Sequence, residues 1–412
     1  MSVVQVLQII LVGGAVQGLF LAFLLATRQA NQLANRLLAG LIIIISFQST
    51  LVAFDTREFF LAFPHLSKVS WLLPMLLGPL IYLFTQKLTH ERPQFKRTDL
   101  VHFIPFCLTF IYLLPYYLKS RTEKIAYLND FELARQDDFG WLGQVTLFLI
   151  LFYLVLSAGA LKRYERKILD TFSELEKIRL QWLKQFIYAL LIILFLATVA
   201  FYAKKWTIPV LTEIYHYHIH YWFVIILIYW IGYKTLAQPR IFTETASQIN
   251  QDLELELAQI QPEPEAVSVP DLSPATSPPV VAQNKKYQKS ILKETESQAY
   301  LDQLLAFMET EKPYRESNIT IQELADSIGL PKHHLSQVIN DRLGKNFYDF
   351  INQYRVAEAQ LMLVNPKYRH LTNLAVAEEA GFNSKATFNA VFKKQTGQTP
   401  SEYVRNHTVQ NG

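Results

Sequence analysis

The sequence predicts an all-α protein in three parts: a seven-helix transmembrane bundle over residues 1–240, a flexible acidic Pro-rich linker over 241–284, and a separate helical domain over 285–412. Three observations carry that division. Long uncharged runs fill the first part of a 412-residue chain whose charged residues reach only 18%, against about 25% in ordinary soluble domains. Residues 241–284 hold seven acids and no Lys or Arg. Beyond them the composition is that of a soluble protein, with helical periodicity and no strand-like alternation. One soluble globule is excluded. So is a disulfide scaffold, because Cys107 is the only cysteine.

A spanning helix needs about 20 mostly apolar residues to cross about 30 Å of hydrocarbon. Seven stretches meet or approach that length: Val3–Ala26, Leu37–Phe54, Val69–Phe84, Leu100–Leu118, Trp141–Leu161, Phe186–Ala203 and Tyr215–Tyr233. Backbone polar groups in lipid must be satisfied internally, so such runs read as helices. β-barrel strands would alternate over about ten residues. A cleavable leader is not expected, because no Lys or Arg precedes a first apolar run that is too long for one. Thirteen Lys and Arg lie in the odd loops and eight in the even ones. That bias places the N-terminus outside and the C-terminal domain in the cytoplasm. Six or eight spans remain open alternatives, since the third stretch is short and the last begins with polar residues. Pro74, Gly78 and Pro79 should kink the third.

Few residues in this part suggest chemistry. His216, His218 and His220 alternate beside Tyr215, Tyr217, Tyr221 and Trp222. On a helix His218 points away from the other two, so a three-His metal site would need an irregular turn, and an interfacial aromatic belt is the simpler reading. Gln5, Gln8, Gln17, Gln48 and Gln144 read as helix–helix contacts. No buried acid pair or proton relay stands out, which argues against a pump.

In the linker, Ile249, Leu253, Leu257 and Ile260 recur at helical spacing and suit a short amphipathic helix, with pairing to a second chain as one option. Pro262, Pro264, Pro270, Pro274, Pro278 and Pro279 follow, in a composition that cannot bury a core and suits an extended tether.

The last part contains one pattern twice. Ile321, Leu324, Ala325, Gly329 and Leu330 are followed by Leu335, Val338 and Ile339; Leu374, Val376, Ala377, Gly381 and Phe382 are followed by Phe388, Val391 and Phe392. Each reads as a helix–turn–helix: the small Ala admits a close second helix, and Gly admits a left-handed turn. The second helices then present Lys332, His333, Ser336, Gln337 and Asn340, and Asn383, Ser384, Lys385, Thr387 and Asn389. Such side chains suit base edges and phosphates in a major groove, and Asn or Gln can pair bidentately with adenine. Arg342, Lys345, Arg355, Lys393 and Lys394 are expected at phosphates. A helical bundle of any function has polar faces; the repetition after 52 residues is what favours double-stranded DNA as the partner.

The run Gly381-Phe-Asn-Ser-Lys-Ala-Thr-Phe388-Asn-Ala-Val-Phe392-Lys-Lys-Gln-Thr-Gly397-Gln-Thr-Pro400-Ser-Glu-Tyr403-Val-Arg405 resembles the signature of AraC-type (AraC/XylS) transcription regulators. His334–Asn340 and Asn346–Arg355 are similar to that family's first motif and connecting helix, so the resemblance covers about residues 318–406. It implies two helix–turn–helix units joined by a long helix and reading successive major grooves. The whole layout resembles bacterial regulators in which a seven-helix membrane domain precedes such a module. Three positions depart from the family pattern. Pro331 precedes Lys332 where a side-chain N-cap is usual, Asn373 stands where many members are apolar, and Ala390 stands where Arg is common.

The expected protein is therefore a multi-pass regulator of the bacterial inner membrane that couples an envelope or membrane signal to promoter binding. Its expected partners are promoter DNA, the lipid bilayer, an unidentified ligand or membrane signal, and a second copy of the chain as a homodimer. No cofactor, metal or catalytic group is expected, since the sequence shows no phosphate-cradling Gly loop, nucleophile elbow or HExxH. The alternative is a membrane transporter or membrane enzyme whose helical cytoplasmic domain binds a protein.

Overall fold

The computed structural model describes residues 3–90, 93–130, 140–176, 178–205, 219–237 and 294–409. Among these residues the chain is helical, with one isolated antiparallel bridge and no named strand. It divides into two compact units: Met1–Arg166 with Lys177–Ile241, and Lys167–Glu176 with Phe242–Gly412.

The first unit contains α1 (Val3–Thr27), α2 (Gln32–Ala53), α3 (Arg57–Ala62), α4 (Val69–Leu72), α5 (Leu77–Leu88), α6 (Ile104–Tyr117), α7 (Arg121–Asn129), α8 (Gly140–Leu169), α9 (Gln181–Lys205) and α10 (Ile219–Ala237). Among the described residues, five segments are long and apolar enough to cross a membrane: Gln8–Thr27, Gln32–Ala53, Pro64–Leu88, Arg97–Tyr117 and Trp141–Leu169. They coincide with the first five expected spans. The sixth falls on α9 and residues 219–233 of the seventh on α10, residues 215–218 lying outside the described ones, so a seven-helix bundle stays an expectation. Phe20, Phe23, Phe148 and Phe195 are all exposed, and such apolar faces need lipid or another protein to cover them.

Polar side chains stitch these helices together where the sequence suggested helix–helix contacts. Gln8 Nε2 donates to the carbonyl of Ala53 at 3.0 Å, and Gln48 Nε2 to that of Ser70 at 3.2 Å. The third segment breaks as its prolines require. A 3-10 turn at Leu73–Leu76, with Pro74 near its start, separates α4 from α5, because Pro removes a donor and its ring clashes with the preceding turn. Lys87 and Asp99 form a buried ion pair at 2.7 Å, and Asp99 also accepts the Lys96 amide at 2.8 Å. His216 and His218 lie outside the described residues, as does the His220 side chain.

The second unit contains α11 (Glu294–Thr310), α12 (Ile321–Ser327), α13 (Lys332–Leu343), α14 (Phe347–Val364), α15 (Asn373–Glu379), α16 (Lys385–Thr396) and α17 (Pro400–Val409). Two apolar cores divide it. One joins Leu304, Met308, Leu324, Ala325, Leu335, Ile339, Phe347 and Ile351; the other joins Val356, Ala359, Val376, Ala377, Phe382, Phe388, Val391 and Phe392. Helix α14 contributes to both, so one 18-residue helix carries a helix–turn–helix at each end. The tether residues 241–284 lie outside the described residues.

Candidate nucleic-acid interface

Both helix–turn–helix motifs are built by the same local chemistry. Helix α12 starts in a capping box, where Thr320 Oγ1 accepts the Glu323 amide at 3.2 Å and Glu323 accepts the Thr320 amide at 2.7 Å. It ends with the Leu330 amide donating to the Ala325 carbonyl at 2.9 Å; in the second motif the Phe382 amide donates to the Ala377 carbonyl at 2.8 Å. This six-residue closure requires a left-handed residue just before the apolar one. Gly329 has φ +69° and Gly381 φ +94°. The repeated Ala-x-x-x-Gly-apolar pattern is thus a turn that stops one helix, buries Leu330 or Phe382, and launches the next.

The launched helices differ at their starts. Helix α13 begins after Pro331, which has no side chain able to cap it, as the sequence suggested. Helix α16 begins at Ser384, whose Oγ accepts the Thr387 amide at 3.1 Å and lies 3.1 Å from Thr387 Oγ1. Ser384 and Thr387, expected at DNA, therefore form a cap in the free protein. Leu335 and Val338, and Phe388 and Val391, face inward. Lys332, His333, Asn340, Asn383, Lys385, Lys393 and Lys394 are exposed, while Ser336, Gln337 and Asn389 are half-buried. Several expected contacts already have partners. Asn340 donates to Ser336 at 3.3 Å and Asn383 to Asn318 at 2.6 Å. Lys394 pairs with Asp349 at 2.9 Å, Lys345 with Gln353, and Arg342 with Glu294 at 3.2 Å and Ser297 at 3.0 Å. Exposed pairs of this kind contribute little to stability.

Arg355 corrects the expectation that placed it at a phosphate. It is fully buried. Its Nε donates to the Tyr314 carbonyl at 2.7 Å, and its Nη2 to the carbonyls of Glu316 at 2.8 Å and Ser317 at 3.1 Å. Further bonds reach Ser173 and Asn352. Burial pulls the guanidinium down to about 10, and the charge of Glu174 opposes that shift, so it stays cationic at neutral pH. Arg355 is a strut between α14 and the 314–317 loop. Beside it, Glu358 binds Lys312 at 3.2 Å and also Arg315, and its carboxyl lies below the usual range: burial raises it, but hydrogen bonds from Arg315 and Lys312 outweigh that. Asn352, Arg355 and Glu358 lie in a network that helical periodicity alone could not reveal: Arg355 and Glu358 meet Tyr314 in a loop about 40 residues earlier, and Asn352 and Arg355 meet Ser173 about 180 residues earlier.

His334 also lies behind the presented face of α13. Its ring stacks on Tyr300 at 5.8 Å and meets His333 at 4.0 Å, and its ring nitrogens are buried without hydrogen-bond partners among the described residues. Burial, and then the charge of His333, push its pKa below 6.5, against a weaker opposing effect of Glu296. A histidine depressed on folding takes up its proton more readily when unfolded, so its contribution is retained above about pH 6.5 and lost as pH falls below it. Amide exchange in Lys332–Leu343 should therefore speed up between pH 7 and 5.5, after correction for intrinsic rates. His334→Leu should flatten that dependence; an unchanged slope would contradict the assignment.

Comparison with known proteins supports the reading of this unit. Residues 324–406 match the family described as "Helix-turn-helix domain", and the C-terminal part of the chain carries an AraC-type helix–turn–helix domain. An uncharacterized HTH-type transcriptional regulator of Staphylococcus aureus (strain COL) is 35% identical over 86 residues, covering 21% of this chain and 11% of that protein. The probable transcription factor PqrA of Proteus vulgaris is 29% identical over 109 residues, covering 26% of this chain and 86% of that protein. A solved structure of a protein of unknown function from Listeria innocua aligns with 26% identity over 26% of this chain and 96% of its own, at a TM-score of 0.23.

Proposed function

We propose that this chain is a membrane-anchored, sequence-specific DNA-binding regulator of transcription that couples an envelope or membrane signal to promoter binding. The observation that carries this reading is the pair of helix–turn–helix motifs on one connecting helix, each leaving Lys, Asn or Gln side chains of its second helix at or near the surface. The relatives named as transcription regulators support it. The five long apolar segments support membrane anchoring, and the loop charge bias supports an outside N-terminus with the DNA-binding domain in the cytoplasm. Lys332, His333, Gln337, Asn383, Lys385 and Asn389 are the proposed base-edge readers; Lys393, with Lys394, Lys345 and Arg342 once released from their partners, are the proposed phosphate contacts. A second copy of the chain and an unidentified ligand or membrane signal complete the proposed partners.

The full chain in zwitterionic lipid nanodiscs, titrated with DNA from upstream of its own gene, tests this. Log affinity should fall with log salt by about 0.9 per phosphate neutralised. Lys393→Ala should lower that slope by about one, whereas Gln337→Ala should cost about 1–3 kcal/mol on the specific site alone. Salt-insensitive association, or no association by a folded chain at low salt, would favour a protein partner for the helical domain.

A further inference from the structure

The second unit includes ten residues from a distant part of the sequence. Lys167–Glu176 follows directly on most of α8 and precedes α9, yet it belongs to the unit that contains α11–α17. Its contacts there are specific. Phe172 and Thr320 form an antiparallel bridge. The Ser173 amide donates to the Ile319 carbonyl at 3.3 Å and the Ile321 amide to the Thr171 carbonyl at 3.0 Å. Ser173 is fully buried, and its hydroxyl lies 3.4 Å from the Ser317 carbonyl. The Ser173 carbonyl accepts Arg355 Nη1 at 3.3 Å and Asn352 Nδ2 at 3.5 Å, while Ser173 Oγ accepts Arg355 Nη2 at 3.2 Å. A small residue is required at position 173, because its side chain enters the buried space between the 316–321 segment and α14.

The platform beneath it serves both helix–turn–helix motifs. Arg355 holds the carbonyls of Tyr314, Glu316 and Ser317. The same loop reaches the second motif, since Asn318 accepts a hydrogen bond from Asn383 and the Tyr314–Arg315 backbone abuts Gly381. At its other end the loop runs into Thr320, the N-cap of α12 in the first motif. With residues 171–173 in place, Lys332, His333 and Lys385 remain exposed, so the strap does not cover the proposed reading faces.

We infer that the 314–321 loop with Asn352 and Arg355 is a docking surface whose occupant is the chain's own connector, residues 171–173. It takes that extended segment by strand addition and, when occupied, fixes the spacing of the two helix–turn–helix motifs for DNA. Movement of the helices flanking the connector then reaches the DNA-binding unit directly, in parallel with the covalent tether. The charge pattern is compatible: Lys162, Arg163, Arg166, Lys167, Lys177, Arg179 and Lys184 around this connector belong to the loops read as cytoplasmic.

The effect on DNA rests on the regulator reading, whereas docking itself does not, and one experiment separates them. The bonds flanking Phe172 and Thr320 make them a non-hydrogen-bonded pair, the antiparallel geometry in which side chains lie closest. The full chain carrying Cys107→Ser, Phe172→Cys and Thr320→Cys is placed in nanodiscs of zwitterionic lipid and mildly oxidised, beside a control with Gln322→Cys in place of Thr320→Cys. Docking predicts that the Phe172–Thr320 pair links intramolecularly at least about tenfold faster than the control; equal rates would overturn docking. The linked form should then bind DNA at least as tightly as its reduced form, and Ser173→Pro, which lacks the amide and the hydroxyl, should bind about fivefold or more weakly. Unchanged affinity in both comparisons, or weaker binding by the linked form, would overturn the spacing role. Fast linking with no DNA binding by either form would support docking and count against the regulator reading.

Discussion

Arg355→Met is expected to destabilise the DNA-binding unit by about 3 kcal/mol or more, the usual scale for breaking a buried charged network. Methionine matches much of the arginine stem but donates nothing, so the carbonyls of Tyr314, Glu316, Ser317 and Ser173 would be left with fewer donors in a buried site. Arg355→Lys should recover only part of the loss, because one ammonium cannot span acceptors that the planar guanidinium reaches from three nitrogens. The loss is local before it is global. Amide exchange in peptides covering 314–321 and 347–364 should accelerate about hundredfold, the equivalent of about 3 kcal/mol. Peptides from α1 and α2 report on the other unit and should not change. A surface arginine whose role is to touch phosphate would give the opposite result, with weaker DNA binding and unaltered exchange.

Gly381→Ala should be the second large effect, and it should differ from the equivalent change in the first motif. Both glycines have positive φ, +69° at Gly329 and +94° at Gly381, so each alanine meets backbone strain of about 1 kcal/mol or more. Their surroundings diverge. A methyl group at Gly329 would have nothing within 4 Å, whereas one at Gly381 would strike the Tyr314 carbonyl and lie 2.9 Å from Arg315 Cα. Backbone cannot rotate away as a flexible side chain can. Gly329→Ala is therefore expected to cost about 1 kcal/mol, and Gly381→Ala about 3 kcal/mol or more, with the 314–316 loop displaced. Exchange of peptides covering 312–321 separates the two; equal effects would show that turn strain alone sets the cost.

These two residues also show what was legible from sequence. Gly381 was visible as a turn glycine because its Ala-x-x-x-Gly spacing recurs at Gly329, and local hydrogen bonding explains why. The uncapped start at Pro331, the break at Pro74 and the inward-facing Leu335, Val338, Phe388 and Val391 were legible for the same reason: each depends on residues within a turn or two. Its contact with Tyr314 was not, because that loop is 67 residues away. Arg355 looked like one more basic residue on a polar helix face. What buries it is a loop about 40 residues earlier and an extended segment more than 180 residues earlier, and no periodicity records such meetings. Ser384 and Thr387 are expected at DNA from their place on a polar face, yet a hydroxyl that suits phosphate also caps a helix. The connector at 167–176 offered nothing beyond a short polar break between two apolar runs. Its place in the second unit follows from tertiary packing alone.

The two helix–turn–helix motifs on one helix are proposed to read one DNA site in sequence-specific fashion. The most direct test is selection of binding sites by the full chain, in nanodiscs, from a pool of random double-stranded DNA at near-physiological salt. Enrichment of one bipartite site is expected, with two preferred blocks about one helical turn, roughly 10 bp, apart. Lys332→Ala should relax preference in one block and Lys385→Ala in the other. Failure of the folded chain to enrich any sequence, or enrichment of a single block that neither change alters, would contradict it.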